Sequence, residues 1–132
     1  MNKLLILCLF VLLACERPII TLKNYSEQIG FDESKPTILL SLENCSYCFV
    51  EYQEAIKKID TSKFNLVIIS SQRKKASMLA VPDNKTIFVD QDKLAMKLNL
   101  IKSLPVILLP SGETIEIFSP DQLLVNLKNN VP

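Results

Sequence analysis

Two stretches of the chain are apolar almost without interruption: residues 37–42 (Thr-Ile-Leu-Leu-Ser-Leu) and residues 64–70 (Phe-Asn-Leu-Val-Ile-Ile-Ser). Short continuous runs of this kind predict strands buried on both faces. Between them the period changes. Phe49, Tyr52, Ala55, Ile56 and Ile59 recur at intervals of three and four, while Glu51, Glu54, Lys57 and Lys58 fall mostly on the other side. That pattern predicts an amphipathic helix from Cys45 or Ser46 to about Ile59, with Glu54 and Lys58 spaced to pair along it. Strand, helix and strand in this order predict two parallel strands joined by a crossover helix.

Upstream, Asn24 can cap and Gly30 can stop a brief helix over residues 24–30. Pro36 then pushes Lys35 towards an extended backbone. Downstream, residues 71–79 can form a basic helix whose lysines and Arg73 read as a solvated face, and residues 82–84 (Pro-Asp-Asn) read as a turn. Residues 86–90 predict a short strand and residues 92–98 a short helix with Leu94, Ala95 and Leu98 on one side. The segments 102–109 and 114–118 flank Pro110-Ser111-Gly112-Glu113, whose glycine can take positive φ, so they predict an antiparallel hairpin. Ser119-Pro120-Asp121 opens a last helix with Leu123, Leu124 and Leu127 as its apolar stripe.

Composition narrows the chemistry. With 132 residues the chain suits one domain with a sizeable core. Fifteen basic against 14 acidic side chains leave no electrostatic reason to expect nucleic acid as a partner. No histidine is present, which excludes Ser-His-Asp and Cys-His catalysis and histidine-ligated metal, and leaves thiol, carboxylate or lysine chemistry.

Residues 1–3 supply a positive start, Leu4 to Leu13 an apolar segment too short to span a bilayer, and Leu12-Leu13-Ala14-Cys15 its end. This ending resembles a bacterial lipobox. The resemblance implies that residues 1–14 are a signal peptide, that Cys15 is acylated, and that residues 15–23 are a tether to the domain at 24–132. It places the protein in a bacterial cell envelope, anchored to a membrane by lipid and facing the periplasm or the exterior. An ordinary secretory peptide with an incidental Cys15 is the alternative. Of four cysteines, Cys8 leaves with the peptide and Cys15 is acylated, so Cys45 and Cys48 remain as free thiols in a disulfide-permissive compartment.

Those two thiols lie between the first predicted strand and its helix. Unpaired backbone N–H groups and the positive end of the helix dipole stabilise a thiolate there. The order of strand, Cys45-Ser46-Tyr47-Cys48 helix, strand, inserted strand and helix, Leu104-Pro105 hairpin and final helix resembles thioredoxin-fold proteins. It is most similar to membrane-anchored thiol-disulfide oxidoreductases of the TlpA/ResA type, over about residues 36–128. The resemblance implies an α/β fold: a central mixed sheet flanked by helices, with the extra strand and helix inserted before a cis-proline hairpin. It makes Cys45 the attacking and Cys48 the resolving thiol. Ser46 and Tyr47 would face the partner, and the backbone at Leu104-Pro105 would pair with a bound substrate strand. Pro105 can equally be a trans proline at a strand start. Glu51, one helical turn after Cys48, matches a family glutamate that could relay the Cys48 proton if partly buried, and is otherwise a solvated helix acid. The chain departs from the family at Leu39, where thioredoxin has a buried aspartate, and at Asn44, where an aromatic is usual.

The leading expectation is therefore disulfide exchange with exported proteins that carry thiols or disulfides, without cofactor or metal. A second reading is a non-catalytic thioredoxin-fold lipoprotein that binds a partner, with Cys45–Cys48 a structural disulfide. Half a metal site at these cysteines would need a second chain to complete it.

Overall fold

The computed structural model describes residues 19–43, 48–77 and 86–129. The first element, α1 (residues 19–29), starts before the expected Asn24, so residues 19–23 are helical. Leu22, Tyr25 and Ile29 supply its inward face, and Leu22 and Tyr25 are buried. It ends where expected: Gly30 takes φ +91°, and the N–H groups of Gly30 and Phe31 both bond to the Ser26 carbonyl.

The two apolar runs form β1 (Thr37–Ser41) and β2 (Asn65–Ile69), paired in parallel from Thr37 opposite Asn65 to Ser41 opposite Ile69. Every residue of both strands is buried. Between them runs α2 (Cys48–Lys57), which closes in a tighter turn through Lys58 N–H to Ala55 O and Ile59 N–H to Ile56 O. Its ion pair is Glu54 with Lys57 at 2.7 Å, three residues on, instead of the expected Lys58.

The basic segment gives α3 (Arg73–Ser77); the expected turn at 82–84 lies outside the described residues. The inserted strand is β3 (Phe88–Asp90), parallel to β2, and the inserted helix is a single turn, α4 (Leu94–Lys97). It starts two residues later than expected because Lys93 sits in the left-handed region at φ 55°. The hairpin is β4 (Val106–Leu108) and β5 (Thr114–Glu116), antiparallel, with Gly112 at φ +84° in the turn. Residues 102–105 precede the strand, since Pro105 has no N–H to give a ladder.

α5 (Pro120–Asn129) begins with a reciprocal cap. The Gln122 N–H donates to Ser119 Oγ at 3.2 Å, and the Phe118 N–H donates to Gln122 Oε1 at 2.7 Å.

The sheet order is β3-β2-β1-β4-β5, with β1, β2 and β3 parallel and β4 and β5 antiparallel to their neighbours. Because side chains alternate along a strand, β1 and β2 feed two cores. Ile38, Leu40, Leu66 and Ile68 pack with Tyr52, Ala55 and Ile56 of α2 and Leu123 and Leu127 of α5. Leu39, Val67 and Ile69 pack on the other side with Leu22 and Tyr25 of α1 and Ala95 of α4. Phe31 joins that second core edge-on to Tyr25 and to Phe88, at ring separations of 5.5 and 6.1 Å.

One expectation is corrected here. The described residues contain no cis peptide bond, so Leu104–Pro105 is trans. Trans is the lower-energy form of most X-Pro bonds, and a proline at the start of a strand needs no isomerisation to avoid breaking the ladder.

Candidate functional site

The parallel register aligns the carboxyl ends of three strands, Ser41 opposite Ile69 and Ile69 opposite Asp90. Open α/β sheets present their sites beyond this edge. The chain leaving β1 there carries Glu43 and then the cysteine motif, and α2 returns from it. Asn44, Cys45, Ser46 and Tyr47 lie outside the described residues. Cys48 is the first residue of α2, with only its backbone described. Cys15 lies outside as well.

β4 reaches the same edge from the other side. It runs antiparallel to β1 with Leu39 opposite Val106 as the last pair, so Leu104-Pro105 lie just before β4 at the carboxyl end of β1. Pro105 is buried and Leu104 half-buried. The Pro105 carbonyl accepts the Ile117 N–H at 2.8 Å, which ties it to the next strand. The structure thus brings Leu104-Pro105 to the end of β1 from which the cysteine motif departs. Two exposed apolar side chains lie on elements that meet this edge: Val50, two residues after Cys48 on α2, and Phe118, two residues past the end of β5. Neither had a place in the sequence reading, since a single apolar residue on a helix or at a strand end carries no period.

Glu51 is exposed on α2, so the partial burial that would favour a proton relay is absent. Its charge acts instead on Tyr52, whose phenol is pushed up first by burial and then by Glu51. Leu39 is fully buried in the second core, so no acid stands beneath the motif at that position.

Two other acids at this edge are tightly engaged. Asp90 is buried at the end of β3 and accepts three hydrogen bonds: from the Leu94 N–H at 2.9 Å, the Ala95 N–H at 2.8 Å and the Tyr25 hydroxyl at 3.2 Å. It supplies the cap that Lys93 does not. Burial, then the Asp90 charge and hydrogen bond, push the Tyr25 phenol far above its usual range.

Glu43 accepts the Ser71 N–H at 2.5 Å and the Ser71 hydroxyl at 2.9 Å, and pairs with the Lys93 ammonium at 3.0 Å. The Ser71 N–H first, then Lys93 and the Ser71 hydroxyl, pull its carboxyl down to about 2 from an ordinary 4.5. A carboxyl with a lowered folded-state pKa stabilises the fold above its unfolded value and ceases to do so as pH falls through the folded value. The stability difference between the native protein and Glu43→Gln should therefore be level above pH 4.5 and shrink as pH falls towards about 2. Urea unfolding across that range measures it.

The sequence matches no family model, and no curated protein matches it. Among solved structures, the chain is similar to the thioredoxin domain of a thiol-disulfide oxidoreductase from Bacteroides vulgatus. The TM-score is 0.53 at 16% identity, over 76% of this chain and 81% of that one. It is also similar to a thiol:disulfide interchange protein from a Bacteroides species, with a TM-score of 0.51 at 16% identity, over 75% of this chain and 74% of that one. At such identity the likeness is one of fold: the chain has a thioredoxin-like fold, a mixed five-stranded sheet flanked by helices.

Proposed function

We propose that this protein is a thiol-disulfide oxidoreductase of the cell envelope, held to a membrane through a lipid on Cys15 and exchanging disulfides with exported proteins. The observation that supports the reading is a thioredoxin-like sheet in which β1 ends at Ser41 and α2 begins at Cys48, with Cys45-Ser46-Tyr47 in the intervening sequence and β4, which follows Leu104-Pro105, paired to β1. The Cys45 thiolate attacks one sulfur of a partner disulfide and expels the other as a thiolate, leaving a mixed disulfide. Cys48, deprotonated, then attacks Cys45 and releases the partner as a dithiol, while Cys45–Cys48 carries the oxidation; the reverse sequence oxidises a partner. Ser46, Tyr47, Val50 and Phe118 would touch the partner, and the backbone at Leu104-Pro105 would pair with its extended segment. Glu51 remains a candidate proton carrier only through solvent, given its exposure.

The test is kinetic. Reduced protein should cleave a small peptide disulfide, and Cys48→Ala should accumulate a mixed disulfide on Cys45 with that peptide. If reduced protein cleaves nothing and Cys48→Ala traps nothing, the proposal fails. Leu39 in place of an acid favours the second reading, a partner-binding protein with a fixed Cys45–Cys48 disulfide. That reading requires a potential below about −300 mV.

A further inference from the structure

Leu42 and Glu43, the last two described residues before the motif, are held by hydrogen bonds to three other segments. The Leu42 N–H donates to the Ile69 carbonyl at 3.0 Å, extending the β1–β2 ladder by one bond. The Leu42 carbonyl accepts from Lys75 of α3 at 3.2 Å. The Glu43 N–H donates to Ser41 Oγ at 3.3 Å, and the Glu43 carboxylate takes Ser71 and Lys93 as described. Ser71 belongs to the connection after β2 and Lys93 to the connection after β3, so one side chain joins the connections that leave β1, β2 and β3. Lys93 reaches it from φ 55° and ψ 38°, a conformation that side chains other than glycine seldom adopt. Backbone outliers of this kind persist where the surroundings fix them, and cluster at working sites.

We propose that Glu43 is a positioning residue for disulfide formation: by clasping Ser71 and Lys93 it fixes the point from which the chain leaves for Asn44-Cys45, and so favours the pairing of Cys45 with Cys48. The inserted β3–α4 segment acts through Lys93 as the third anchor of that clasp. The inference rests on the exchange reading above, since it concerns how readily the two thiols pair.

Charge and position make opposite demands at Lys93, which gives the test its sign. The equilibrium is Cys45–Cys48 disulfide plus two glutathione thiols, giving the dithiol plus one glutathione disulfide. If the clasp acts only through its field, removing the Glu43 charge favours the thiolate and weakens the disulfide. Removing the Lys93 charge would then do the reverse. If the clasp positions Cys45, either change loosens the entry point and both weaken the disulfide. We expect Glu43→Ala and Lys93→Met each to favour the dithiol about tenfold in glutathione buffers, equal to about 30 mV for this two-electron couple. Lys93 is a partly exposed side chain, so its variant carries the test even if Glu43→Ala fails to fold. A Lys93→Met disulfide that is unchanged or more stable than the native one overturns the inference and leaves the exchange reading standing. A native protein with no glutathione-exchangeable disulfide overturns both.

Discussion

Leu39→Asp is expected to cost at least about 4 kcal/mol at neutral pH, enough to consume much of the stability of a domain this size. Leu39 is fully buried at the centre of β1, packed with Val67, Val106 and the α1 side of the sheet. The substitution removes leucine packing worth about 2–5 kcal/mol and adds a carboxyl with no donor among those neighbours. Burial raises the folded-state pKa of such a carboxyl. A raised folded pKa means that the protonated form is tolerated below the unfolded value, about 3.9, and that stability falls as pH climbs through the folded value. Leu39→Asn is the control: it has similar size and the same packing loss, with no such pH dependence. Urea unfolding of both variants across pH separates the charge from the cavity. The result bears on function, because it measures what an acid at this buried position would cost the fold.

Asp90→Ala is the second large effect, at about 3 kcal/mol. Among the described residues no buried side-chain polar atom lacks a partner, and Asp90 is where three donors converge. Truncation leaves the Leu94 and Ala95 N–H groups and the Tyr25 hydroxyl without it, each at about 1–3 kcal/mol, offset in part by no longer burying a carboxylate. Asp90→Asn should fall between, since one oxygen is replaced by a donor facing the Leu94 N–H. Denaturant midpoints measure the loss. Hydrogen exchange at Leu94 and Ala95 should localise it, with protection lost there before the strands open.

The parts of the fold that a one-dimensional pattern can encode were legible. Residues 37–42 and 64–70 announced β1 and β2 because strands buried on both faces have no other pattern to show. Gly112 marked the hairpin turn and Ser119-Pro120 the start of α5 through local backbone chemistry. Helix α1 was read too short because Ile19, Ile20 and Leu22 follow an apolar leader and Pro18, and only the sheet shows that Leu22 is part of a core. α4 was read too long because nothing in Asp92-Lys93 announces a left-handed residue.

At the site, the pairing of Glu43 with Ser71 and Lys93 spans connections far apart in the chain, so its geometry depends on sheet register that sequence spacing does not carry. Asp90 had a usable signal, an acid just ahead of a helix, but that signal pointed equally to Asp92. Pro105 was expected cis by resemblance, and it is trans; for Glu51 the sequence left a partly buried relay and a solvated helix acid open, and it is exposed.

The most direct measurement for the account as a whole is mass spectrometry of alkylated Cys45 and Cys48 in the native protein across a glutathione redox series. Disulfide exchange predicts that both thiols become protected together, reversibly, with a midpoint between about −300 and −120 mV. Thiols that stay alkylated under every condition, or a disulfide that persists below about −300 mV, would contradict it.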